Sequence, residues 1–232
     1  MKYLFVLLLA LLCASMADGH LDYSEVDDFS LSSCVEDSEV VVIGTVSTLN
    51  SVWRENTTAR GHGAIVTEVV VSVSDFIKGT GNLGPDHVKF IVLGGIAFVP
   101  SENAVMRYDV HPEPKFKLNE KVLLFLDNDS DDSGFVNYPY GKTRVHYSEY
   151  GKKLVVDDKV HFVYPKDGEP AGLGLDLDLA KNLGKACVAD KDAALLIENR
   201  IKSEFQSKDI FALTDALTNE LNDRAKLLLE EK

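Results

Sequence analysis

The sequence predicts a mainly β chain of the α+β class, a β-rich module that ends in a helical hairpin. β-Branched runs recur at short spacing between Gly- and Asp-rich turns from Glu39 to Tyr164. Ala64–Ile77 alternates with a period of two, Val69, Val71 and Val73 on one side and Val70, Ser72 and Ser74 on the other. The period then changes. Ala194, Ile197, Ile201 and Phe205 recur at spacings of three and four, and so do Ile210, Leu213, Leu217, Leu221, Ala225 and Leu228. Each set is one apolar stripe along a helix.

The chain opens Met1-Lys2-Tyr3, runs uncharged from Leu4 to Leu12 and continues Cys13-Ala14-Ser15-Met16-Ala17. A basic start, an apolar stretch and small residues before the cut are the marks of a secretory signal peptide. The apolar stretch falls short of the ~20 residues a bilayer span needs. Residues 1–17 are therefore expected to be a cleaved leader, and the rest an extracytoplasmic (secreted or periplasmic) protein without membrane insertion. Ser15 and Ala17 allow a cut before Asp18; Ala17 and Gly19 allow one before His20.

Residues 18–33 are polar and acidic and read as a lead-in, with room for a short helix. Glu39–Thr48 reads as the first strand, and Asn50–Gly63 as a loop or wide hairpin. Ala64–Ile77 is the second strand, Lys78–Pro85 a turn-rich loop, and His87–Leu93 a third strand ended by Gly94-Gly95. Lys121–Leu126 is a fourth. Phe135–Tyr140, Lys153–Val156 and Val160–Tyr164 are shorter candidates. So many short strands favour a barrel or sandwich over a parallel sheet. Residues 34–164 are taken as this domain, 165–189, with Pro165, Pro170 and several glycines, as a linker, and 190–232 as the hairpin. Ser207 is placed to cap its second helix.

The order of the strand segments VVVIGTV (40–46), SDFIKG (74–79), VKFIVLGG (88–95), FKLNEKVLLFLD (116–127) and YPYGKTRV (138–145) resembles a group of secreted bacterial and archaeal proteins of unknown function. More loosely, it resembles the netrin-like module of tissue inhibitors of metalloproteinases. Both resemblances imply an OB-like five-stranded β-barrel over about residues 34–147. Asn119-Glu120 stands where the pattern has Gly-Glu, and Asn tolerates the left-handed conformation that Gly supplies. Those inhibitors chelate a protease zinc through an N-terminal cysteine. Cys34 lies behind His20–Ser33, so that mechanism is not expected here.

The formal net charge is −13, which disfavours nucleic acid and anionic membranes as partners. Beyond the leader two cysteines remain, Cys34 and Cys187. In an oxidising compartment they are expected to form a disulfide. The sequence holds no GxSxG elbow, no HExxH and no phosphate-cradling Gly loop, so no enzyme is expected. The leading expectation is a non-catalytic binding module without a cofactor, its partner an extracellular or periplasmic protein. Its contact candidates are the loops Asn50–Gly63 and Ile96–Pro114, with Trp53, Arg54, His62 and His111. Trp53 is a candidate for the core as well as for the surface.

Two other chemistries compete. A mature start Asp18-Gly19-His20 offers the amine, two amides and the His20 imidazole as a square-planar copper or nickel site; a start at His20 offers its amine and imidazole. A hydrolase would need His111, His146 and an acid to converge. Asp127–Gly134 carries oxygens at the first, third and fifth places of a calcium loop, but Asp132 replaces its Gly and Tyr138 its last ligand. An acidic hairpin loop is the expected reading. Asn56-Thr57-Thr58 and Asn128-Asp129-Ser130 match the glycosylation sequon.

Overall fold

Long runs of Val, Ile, Leu and Thr build an antiparallel sheet whose two faces are both buried. The computed structural model describes residues 31–55, 63–80, 84–110, 113–128, 143–145, 151–163, 170–207 and 215–230. Helix α1 (Leu31–Asp37) leads into strand β1 (Val40–Arg54), followed by β2 (Ala64–Lys78), β3 (His87–Leu93), β4 (Gly95–Val99) and β5 (Ala104–Tyr108). A 3-10 turn, Pro100–Glu102, joins the last two. Strands β6 (Lys121–Asn128), β7 (Thr143–Val145), β8 (Lys152–Val156), β9 (Lys159–Val163) and β10 (Pro170–Asp176) come next. Helices α2 (Leu177–Ala189), α3 (Lys191–Ser207) and α4 (Asp215–Glu230) complete the described chain.

The main sheet runs β10-β9-β8-β6-β1-β2-β3, with β7 attached to β6, and β4-β5 form a separate two-stranded sheet. The chain is thus mainly β with a helical C-terminal part, as expected, but among the described residues the sheet is not closed into a barrel. The reason lies in β6. One of its edges pairs with β1; the other is shared, Leu126–Asn128 pairing with β7 and Val122–Leu124 with β8. The β8-β9-β10 meander therefore extends the sheet.

Alternation gives the two faces. Val42, Val46, Val69, Val71, Phe90, Leu124 and Leu126 meet in one core, with Phe116 set edge-on to Phe90 at 5.2 Å between ring centres. Lys152 enters this core from β8; its ammonium bonds Glu120 at 2.7 Å and the Lys115 carbonyl, and lies 4.5 Å over the Phe116 ring. Asn119, next to that carboxylate, is left-handed at φ 66°, a conformation that Asn tolerates, and its N–H donates to the Val46 carbonyl at 2.9 Å.

The intervening residues Val41, Ile43, Leu123 and Phe125 are buried as well. Near the end of β2 the helices dock on the sheet. Gly184 in α2 lets the helix approach Ile77, whose Cγ2 would stand 2.9 Å from any Cβ there. Asp75 is bridged by Lys181 and Lys185 of α2, and Lys78 donates to the carbonyls of Val35 and Glu36, 2.8 Å each, at the end of α1. Glu198, buried in α3, accepts from the amides of Leu31 (2.7 Å) and Ser32 (3.0 Å), which satisfies two otherwise orphaned donors at the start of α1.

Three expectations change. Residues 165–189, read as a linker, contain β10 and α2; Asp176 caps α2 by accepting from the Leu179 amide at 2.9 Å. Ser207, expected between the two helices, is the last residue of α3, and the next described helix begins at Asp215. Cys34 and Cys187 are free buried thiols and form no disulfide. Each thiol has its own surroundings: Cys187 Sγ donates to the Ser32 carbonyl at 3.4 Å, while Cys34 shares its burial with Lys153 of β8. Burial pushes the Cys34 thiol up to about 11 and raises that of Cys187 too, so both stay protonated at neutral pH.

Candidate functional site

The segment Ile96–Pro114, expected as a contact loop, contains the β4-β5 hairpin. Gly94 and Gly95 swing it off the main sheet. Both have positive φ, 95° and 128°, which side chains rarely adopt. A Cβ on Gly94 would stand 2.6 Å from the Tyr108 carbonyl oxygen, and one on Gly95 would strike the hydroxyls of Ser51 and Thr67. The corner is fixed by hydrogen bonds. The Gly94 amide donates to the Ile65 carbonyl at 2.9 Å, and the Thr67 hydroxyl donates to the Gly94 carbonyl at 2.7 Å.

The hairpin has two unlike faces. Toward the protein, Ala97 and Val99 join Ile65 in a small core against which Trp53 packs. Ile96 and Phe98, the alternate residues of β4, point outward and are 56% and 52% exposed. Across the ladder Phe98 faces Val105, itself 69% exposed, and Ile96 faces Arg107. Arg107 donates to Asp109 at 3.0 Å, and Lys115 approaches the same carboxylate at 3.7 Å. The arginine, first among its neighbours, holds Asp109 below the usual carboxylate range. Three exposed apolar side chains beside one neutralised cation thus sit on a braced hairpin. Grouped apolar surface of this kind marks a contact site more often than scattered residues do.

The other candidates fall elsewhere. Trp53 supports the hairpin from beneath. Arg54 is held by Glu68, which also bonds Lys89 at 3.2 Å. Burial acts to raise the Glu68 pKa, and the two cations outweigh it, leaving the carboxylate below its usual range. His20, His62, His111 and His146 lie outside the described residues, as do Asp129–Gly134, Tyr138 and Asn56. Among the described residues no three His, Cys, Asp or Glu side chains group as a metal set. No described helix is long and apolar enough to cross a membrane. A cleft of about 370 Å³ bordered by Phe76, Thr80, Gly84 and Pro85 presents no ionisable side chain among the described residues.

The sequence reads Ile96–Pro114 as a loop, and the hairpin inside it was missed. The signal was there: Pro100-Ser101-Glu102-Asn103 is a turn between the apolar runs Ile96–Val99 and Ala104–Met106. No protein-family model, curated protein or solved structure matches the chain.

Proposed function

We propose that the chain is an exported, non-catalytic binding module that holds an extracellular or periplasmic partner protein on the outer face of the β4-β5 hairpin. The observation that carries this reading is the exposure of Ile96, Phe98 and Val105 on a hairpin whose other face is anchored by Ala97, Val99 and Trp53. A braced apolar surface binds without first being ordered, so less of its contact energy is spent on immobilisation. Export rests on the leader-like residues 1–17.

The OB-like reading of the β part belongs to the same proposal. Strands β1, β2, β3, β6 and β7 supply five strands, and β3 approaches β7 although no ladder joins them among the described residues. The short β8-β9-β10 meander is then an addition to that unit. Fold analogy alone says little about function, so the hairpin is what the experiment addresses.

A photo-crosslinking amino acid placed at Phe98 in the exported protein is expected to give discrete protein adducts. The same group at Leu196, an exposed helical position, should give none of them. Equal adduct patterns from both positions would remove the hairpin from the proposal. Export is tested by expressing the full chain and sequencing the amino terminus of the protein recovered: a start at Asp18 or His20 outside the cytoplasm is expected, and protein retained in the cytoplasm with Met1 intact would refute it.

A further inference from the structure

We propose that the partner docks by strand addition: an extended, uncharged segment of a partner protein pairs with the open edge of β5. This rests on the binding reading above and specifies its mode. The Tyr108 carbonyl stands beside Gly94, so it faces β4. By the alternation of an antiparallel ladder, the main-chain groups of Ala104, Met106 and Tyr108 then face β4, and those of Val105 and Arg107 face outward. Every residue of β5 is exposed. Proteins usually blunt such an edge with charged side chains, lysine above all, with proline or with a bulge. The main sheet does so: edge strand β3 carries Lys89, and edge strand β10 begins at Pro170 and breaks register against β9. Strand β5, Ala-Val-Met-Arg-Tyr, has neither lysine nor proline, its one charge, Arg107, is engaged by Asp109, and it pairs with β4 without a register shift.

Charge and area select the occupant. A second copy would bring together two chains of net charge −13. On the outer face Ile96, Phe98 and Val105 supply roughly a few hundred Å², with Met106 and Tyr108 on the other side of the strand, against roughly 800 Å² per partner in a stable association. The same charge disfavours an anionic membrane. An extended segment needs little area, because main-chain hydrogen bonds supply much of its affinity and alternate side chains its specificity. Ile96, Phe98 and Val105 call for apolar or aromatic residues at every second position. Arg107, already engaged by Asp109, asks for no charge opposite.

The test uses the whole chain and peptides selected on it from a randomised dodecapeptide phage library. Selected peptides are expected to be uncharged and apolar at alternate positions. In residue-resolved hydrogen exchange, the amides of Val105 and Arg107 should exchange fast in the free protein and slowly with peptide bound; those of Met106 and Tyr108 should be slow in both. Val105→Pro removes an outward donor and should weaken binding by more than about tenfold, and Val105→Thr by less. Binding that depends on Phe98 but leaves the Val105 and Arg107 amides unprotected would overturn strand addition and keep the binding reading. Failure to select any peptide, together with no adduct from position 98, would overturn both. Binding to phosphatidylcholine vesicles, or a dimer abolished by Val105→Lys, would also overturn strand addition.

Discussion

The Thr67 hydroxyl donates to the Gly94 carbonyl at 2.7 Å and so holds the corner from which the exposed hairpin leaves the sheet. With that proton committed, the Ser51 hydroxyl, 2.7 Å from Thr67 Oγ1, must be the donor in their contact. Strands β1 and β2 are thereby tied to the corner that precedes β4.

Gly94→Ala is expected to destabilise the protein by about 2–3 kcal/mol, combining left-handed strain with the clash against the Tyr108 carbonyl. Gly84→Ala makes a control, since Gly84 has a similar φ of 99° and nothing within 4 Å of a Cβ. It should lose only the strain, about 1 kcal/mol. Urea midpoints of the two variants would show the difference; equal losses would mean that the Tyr108 contact does not matter.

Phe98→Ser should leave stability within about 0.5 kcal/mol of the parent, because an exposed side chain has little burial to lose. Val99→Ser, two faces of one strand away, removes a side chain only 3% exposed and should lose about 2–3 kcal/mol. Thermal unfolding of the pair reports whether the hairpin faces are assigned correctly. A large loss at Phe98 would show that it is a core residue.

Much of this fold was legible. Ala64–Ile77 and His87–Leu93 became β2 and β3 with bounds almost unchanged, because one strong alternation or apolar run defines each. Strand β1 runs through Arg54, beyond the expected end at Thr48. Its polar second half is strand only because β2 is long enough to pair it, Val52 with Val66 and Arg54 with Ala64. The hairpin was hidden by what makes it interesting: with Ile96 and Phe98 apolar outside and Ala97 and Val99 apolar inside, no polar alternation marks its faces. Helix α2 was masked by Gly184, a breaker in propensity that here admits Ile77. The disulfide was inferred from compartment and count, and those say nothing of where two thiols point.

Lys152→Met should cost about 3 kcal/mol or more, since Glu120 would keep its charge in a nearly buried place with its cation gone. The carboxylate would retain the Lys117 amide at 2.8 Å as a donor. Adding Glu120→Leu should restore part of the loss, because an apolar pair needs no compensation. A double-mutant cycle in urea would reveal this coupling, and strictly additive losses would contradict it.

Lys153 should give the clearest pH signature. Burial pushes its pKa down to about 8, from an ordinary 10.5. The unfolded chain then binds a proton that the folded chain lacks between those values, so its contribution to stability rises with pH across that window. Below pH 8 the buried ammonium is destabilising in full. Cys34 acts in the opposite sense: its thiol stays protonated in the folded state up to about 11 against an ordinary 9.0, so its contribution falls with pH between the two. Lys153→Met leaves the thiol in place and isolates the lysine. The variant is expected to be more stable than the parent at pH 7 by about 1–3 kcal/mol, taking roughly 1.4 kcal/mol per pKa unit as an upper scale. That advantage should shrink steadily from pH 8 and vanish near pH 10.5. Urea unfolding of both proteins at intervals across that range measures it. A gap independent of pH would mean that Lys153 is charged and well compensated in the folded protein.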